Sequence, residues 1–201
     1  TASAKALRTI QQKDLPLLAP EKRVLGVIRP SAEEIGNYSK SGFVGILGTE
    51  GTIKSASYVL ELNKTSPQIQ VIQHACPLWV PLIEEEAYHT EAGRLIIAKD
   101  IEALFNKNSQ IDTIVLACTH YPIIQPIIEE LVPTGVQVLN QGPLVAHKLE
   151  DYLFRHPELT KRLSKQPQTR FFTTESASYF NEHASKIFGQ VVKAKHIQLT
   201  S

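Results

Sequence analysis

Apolar residues along the chain fall into two alternating patterns. Short β-branched runs of four to six residues recur, and between them lie longer segments whose apolar positions return every three or four residues. The pattern predicts helix over Ala2–Gln12, strand over Arg23–Ile28, helix over Ala32–Lys40, strand over Phe43–Leu47, helix over Ile53–Asn63 and strand over Gln68–Ile72. A long helical region, Leu82–Asn106, is predicted to break near Thr90–Gly93, and is followed by strand Thr113–Ala117 and helix Ile123–Leu131. The remainder reads as strand Val136–Leu139, helix Leu144–Phe154, strand Arg170–Thr173, helix Ala177–Phe188 and strand Val191–His196, with His156–Gln168 as a surface excursion. Strands that alternate with helices predict an α/β fold: a mostly parallel sheet flanked by helices on both faces.

Composition narrows the function classes. The 201 residues suffice for one large or two small α/β domains. With 21 basic against 20 acidic residues and no basic run or aromatic ladder, nucleic acid is not an expected partner. No apolar run approaches the roughly 18 residues that span a bilayer, and the first residues lack the apolar centre of a signal peptide, so a soluble cytoplasmic protein is expected. Two cysteines, Cys76 and Cys118, do not suggest a disulfide framework, and free thiols are the default. The chain opens on Thr1 and contains no Met, which reads as part of a longer protein.

Ligands of such sheets bind beyond the carboxyl ends of the strands, and three loops that follow strands carry unusual chemistry. Cys118-Thr119-His120 follows the predicted strand Thr113–Ala117, with Pro122 suited to a first helical turn. A thiol there is expected to meet the positive end of a helix dipole, which favours thiolate, and His120 to stabilise it or pass protons on. The bland alternative is a small apolar residue beside a capping histidine. Gly48-Thr49-Glu50-Gly51-Thr52 offers hydroxyls and N–H groups to an anion such as a carboxylate, but lacks the spacing of a P-loop; an ordinary N-cap at Thr52 is the plain alternative. The third loop, HACPLWVPLIE, is apolar and holds Cys76, read as a buried structural thiol, and Glu84, which either meets a substrate ammonium or starts a solvated acidic helix. Neither CxxC nor HExxH occurs, so no metal site is expected, and a Cys-His-Asn hydrolase is a weaker rival.

The strings GTEGTIKS, ACPLWVPLIE and LACTHYP, in that order and spacing, closely resemble glutamate racemase, within the cofactor-independent aspartate/glutamate racemase superfamily. The resemblance implies two similar α/β lobes with the active site in the cleft between them: residues 1–26 plus 140–201 in the first lobe and 27–139 in the second. It implies racemisation of glutamate without a cofactor, by one thiol that removes the Cα proton and another that returns one on the opposite face, to supply D-glutamate for peptidoglycan. Cys118 matches one catalytic thiol and His120 a group that assists it. Thr1, Thr49, Thr52, Thr119, His120 and, less closely, Glu84 match substrate-binding positions. The opening Thr1-Ala2-Ser3-Ala4 matches the family's Cys-Asn-Thr-Ala, which puts the opposing Cys two positions ahead of Thr1, so the chain by itself is expected to be inactive. Asn140 stands where the family commonly has Asp. Glutamate is the implied small-molecule partner, and a homodimer is compatible. Aspartate or hydantoin racemase, a one-thiol decarboxylase and a non-catalytic binder of acidic amino acids are the alternatives.

Overall fold

The computed structural model describes residues 1–164, 166 and 168–199. Two compact units are present, the first Thr1–Tyr152 and the second from Leu153 onward.

The first unit is built on a four-stranded, fully parallel sheet of β1 (Phe43–Gly48), β2 (Gln70–Ala75), β3 (Thr113–Leu116) and β4 (Gln137–Asn140), in the order β2-β1-β3-β4. The two inner strands are apolar along their length, as sheet interiors covered on both sides require. Alternate residues serve opposite faces. Val44, Ile46, Val115 and Ala117 meet Ile28, Ala32 and Ile35 of α1 (Ile28–Ile35) and Tyr58 and Leu62 of α3 (Ser57–Thr65), which follows the short α2 (Glu50–Lys54). Leu47, Ile114 and Leu116 meet Trp79 and Ile83 of α4 (Trp79–Glu84), Ile97, Ile101 and Leu104 of α5 (Glu91–Lys107), and Ile127 and Ile128 of α6 (Gln125–Leu131). Each such aliphatic side chain contributes about 1.5–3 kcal/mol on full burial. At Gly45 the helix layer approaches so closely that an added Cβ would lie 2.8 Å from Leu104 Cδ2.

The second unit has a two-stranded parallel sheet, β5 (Phe171–Thr173) with β6 (Ala194–His196), and α8 (Ala177–Phe188), which Ser176 caps through its side chain. Helix α7 (Gln141–Arg155) leads into it.

The α/β class and the central strands agree with the sequence pattern, and several elements differ from it. Arg23–Ile28 forms no strand: Leu25 is 52% exposed, and the backbone bonds side chains of the N-terminal turns, with Gln11 Nε2 donating to Val24 O at 2.7 Å and Val27 N to Ser3 Oγ at 3.4 Å. The alternation there had the right period but no neighbouring strand to pair with. The predicted helix Ala2–Gln12 is a succession of short turns from Ala2 to Leu18, including a π-turn at Ile10–Asp14. The helix predicted over Ile53–Asn63 breaks at Ala56, whose φ of 49° is left-handed. The break near Thr90 is real: the Thr90 hydroxyl accepts from Gly93 N at 3.0 Å and caps α5. His156–Gln168 contains a helical turn at Pro157–Thr160, while Lys165 and Pro167 of that segment lie outside the described residues.

Candidate functional site

In the strand order β2-β1-β3-β4 the chain leaves β1 toward one edge and β3 toward the other, and it is at the carboxyl ends of two such neighbours that open α/β sheets form their ligand crevice. The loop after β1 begins at Thr49 and that after β3 holds Cys118. Ala117 N donates to Leu47 O at 2.8 Å, and a Cβ on Gly48 would stand 3.4 Å from Ala117 Cβ, so the two loops start side by side.

On the β1 side three hydroxyls converge. Thr1 Oγ1 lies 2.6 Å from Thr49 Oγ1 and 3.4 Å from Thr52 Oγ1, and the latter two are 3.1 Å apart. The cap of α2 is Thr49, which accepts from Thr52 N at 3.4 Å, rather than Thr52 as the plain alternative had it. Thr52 is instead buried, its hydroxyl facing the other two. Gly51 permits this arrangement, since a Cβ there would come within 3.0 Å of Thr1 Cγ2.

On the β3 side a relay runs from sulfur to carboxylate. Cys118 Sγ is 3.9 Å from His120 Nδ1, and His120 Nε2 is 3.2 Å from Glu84 Oε1 at the end of α4. Cys118 is half-buried and forms no disulfide, with His120 beside it. The expected helix dipole is not formed at the sulfur. The loop passes through a 3-10 turn, Tyr121–Ile124, and the α-helix begins only at Gln125, because Pro122 and Pro126 limit the backbone N–H donors available to the first turns. Thr119 sits within this loop, and no side-chain bond to the Thr1, Thr49 and Thr52 cluster is formed by it.

Buried residues that the sequence analysis did not single out support the loop. Tyr121, fully buried, donates from its hydroxyl to Cys76 O at 3.0 Å, and its ring lies 4.8 Å from that of Trp79. Burial pushes the Tyr121 phenol up, and the two cysteine sulfurs nearby add to the shift. Tyr58 lies close enough to Cys118 for the sulfur to add to the upward shift that burial gives its phenol; its hydroxyl, beside Gln141, has no hydrogen bond of normal geometry. Gln141 Nε2 donates to Leu116 O at 2.9 Å, tying the start of α7 to the end of β3. Asn140, the departure from the family pattern, accepts from Gly142 N at 2.8 Å and so turns the chain into α7. Both tyrosines fall at apolar positions of their elements, and no local signal distinguishes them from ordinary core.

Cys76 is fully buried and free, as expected of a structural thiol, and burial, with the Asp100 charge second, pushes it well up. It lies near His74 and Asp100, the cluster among the described residues whose atoms could hold a metal ion.

The structure thus places a thiol, an imidazole and three hydroxyls beyond the carboxyl ends of two neighbouring parallel strands. The comparisons with known proteins are specific. A glutamate racemase of Bacillus cereus is 34% identical over 99% of this chain and 71% of its own, and one of Enterococcus faecalis is 35% identical over 99% and 70%. Among solved structures, a glutamate racemase isoform from Bacillus anthracis superposes with a TM-score of 0.86 at 29% identity, covering 98% of this chain and 71% of that one. The glutamate racemase of Francisella tularensis in complex with D-glutamate gives 0.80 at 26% identity, covering 100% and 70%. No protein-family model matches the chain. The class is therefore amino-acid racemase. The chain belongs to the glutamate racemase family.

Proposed function

We propose that this chain supplies one face of a site that interconverts L- and D-glutamate through a pair of thiols. The observation that carries the reading is the side-by-side start of the loops after β1 and β3, with Cys118 and His120 of one reaching Glu84 of α4, and Thr49 and Thr52 of the other joined by Thr1. The Cα proton of an amino acid is a very weak acid, and the carboxylate beside it resists further negative charge. Hydroxyl and N–H donors on that carboxylate spread the charge that develops as the proton leaves, and do so most strongly where water is excluded. In this reading Thr49 and Thr52, with Thr1, hold the substrate carboxylate. The Cys118 thiolate takes the Cα proton, or its thiol returns one when the reaction runs the other way, and His120 restores the protonation state of the sulfur, oriented by Glu84. The opposing acid is the cysteine that the family resemblance puts two positions ahead of Thr1; the contact of Thr1 with Thr49 supports this, because it brings the N-terminal end to the crevice. The proton count balances, one removed from one face and one delivered to the other.

The lobes of this reading are residues 1–26 with 140–201, and 27–139. The enzyme acts in the cytoplasm without a cofactor and supplies D-glutamate for peptidoglycan. Deuterium entry at Cα of both glutamate enantiomers in heavy water, measured by NMR on the parent protein, tests the reading. Cys118→Ala is expected to abolish racemisation and retain glutamate binding. Near-normal turnover by that variant removes Cys118 from the mechanism, and binding without exchange in the unmutated protein refutes catalysis.

A further inference from the structure

At the carboxyl end of β2, on the edge of the sheet remote from β4, three metal-ligating side chains converge. A nitrogen of His74, the sulfur of Cys76 and a carboxylate oxygen of Asp100 all lie within 4.8 Å of one another, with His74 Nε2 2.9 Å from Asp100 Oδ1. The geometry follows from the fold. His74 and Cys76 are two residues apart at a strand end, so their side chains leave the sheet on the same face, and Asp100 arrives from α5, which covers that face. The sulfur is fully buried, whereas the imidazole and carboxylate are 17% and 20% exposed, which leaves a path from solvent.

We propose that His74, Cys76 and Asp100 form a binding site for a borderline-soft divalent cation of the zinc class, with water as the fourth ligand. The donor set of one nitrogen, one sulfur and one carboxylate oxygen suits such a cation better than a hard one, which would take oxygen alone. Bonds of about 2.0–2.3 Å in a tetrahedron require ligand atoms roughly 3.3–3.8 Å apart. The His74–Asp100 pair therefore opens by less than about 1 Å and the sulfur approaches by a similar amount, within the reach of side-chain torsions.

Without metal, Asp100 accepts from the ring, and Lys107 Nζ stands 3.3 Å from His74 Nδ1 and 2.7 Å from Gln73 O. Metal at Nε2 leaves the ring proton on Nδ1, so the lysine releases the ring and keeps its carbonyl. The Cys76 thiol proton is lost to solvent, so binding strengthens as pH rises. Occupancy also reaches the candidate site, because Tyr121 is bonded to the carbonyl of Cys76. The proposal does not depend on the racemase mechanism.

Cobalt(II) titration of the reduced protein tests it, read by the thiolate-to-metal charge-transfer band in the near ultraviolet and the visible bands of tetrahedral cobalt. Zinc affinity follows by competition with a chromophoric chelator. The wild-type protein and Cys118→Ala are expected to take up one equivalent with both features, and Cys76→Ser to lose the charge-transfer band. His74→Gln and Asp100→Asn should each weaken zinc binding at least about tenfold. These two positions are partly exposed, so they carry the test even where circular dichroism reports that Cys76→Ser is misfolded. The proposal is overturned by a wild-type protein that takes up no stoichiometric metal, by a charge-transfer band that disappears in Cys118→Ala, or by unchanged affinity in both His74→Gln and Asp100→Asn.

Discussion

Tyr121→Phe deletes one oxygen from the joint between the loop that carries Cys118 and the loop that carries Cys76. The hydroxyl is fully buried and donates to Cys76 O at 3.0 Å. That carbonyl also accepts from Trp79 N at 3.3 Å, so the variant leaves it with one partner rather than none. The full penalty for an orphaned buried acceptor, up to about 3 kcal/mol, is therefore not expected. What is lost is the net value of one neutral hydrogen bond, about 1 kcal/mol, with a small addition for the unfilled volume of one atom. The aromatic pair with Trp79 survives, since phenylalanine keeps the ring. The expected loss is about 1–1.5 kcal/mol, or roughly 2–6 °C in Tm for a chain of this size. Urea unfolding followed by tryptophan fluorescence reads it directly, because Trp79 is the single tryptophan and reports on this joint. The midpoint should fall with an unchanged slope. A loss under about 0.3 kcal/mol would mean that the hydroxyl has no structural role, and one above about 3 kcal/mol would mean that the carbonyl is left without a partner; either result refutes the reasoning.

Gly45→Ala puts a methyl 2.8 Å from Leu104 Cδ2 and 3.3 Å from Ile111 Cγ2 in the closed layer between sheet and α5, and should cost about 1–3 kcal/mol in a urea melt. Asp112 feels desolvation, which by itself raises its pKa, but bonds from Ser39 Oγ, Ser41 N, Lys40 N and Thr113 Oγ1 outweigh this and hold it down to about 2. Its folded-state value is depressed, so its stabilisation is fully present above the unfolded value near 3.8 and is lost as pH falls toward about 2. Asp112→Asn should therefore lower stability at neutral pH by about 1 kcal/mol, a figure discounted for solvent screening, and flatten the acid limb of the stability curve between pH 4 and 2; a variant with the wild-type acid limb contradicts this. Cys118→Ala, as set out above, should lose Cα exchange while its urea midpoint moves little, because the sulfur is only half-buried.

Several features were legible in the residue pattern alone. The runs Phe43–Leu47 and Thr113–Ala117 had to be covered strands, because an uninterrupted apolar segment of that length has no solvent face. The Cys118, Thr119, His120 string and the hydroxyls of Thr49 and Thr52 picked out the two candidate loops, because such groups are encoded within a few neighbouring positions. Tertiary structure decided what depends on partners distant in the chain. Parallel strands find their hydrogen bonds only across long connections, so sequence could not say that β1 and β3 lie side by side or that Arg23–Ile28 has no strand to join. The same cause hid the meeting of Thr1 with Thr49, the neighbourhood of Tyr58 and Cys118, and the convergence of His74, Cys76 and Asp100. The helix expected to polarise Cys118 starts at Gln125 instead, since two prolines beside the loop loosen its first turn. Local spacing thus fixed which groups were available for chemistry, and the order of strands in the sheet fixed which of them face one another.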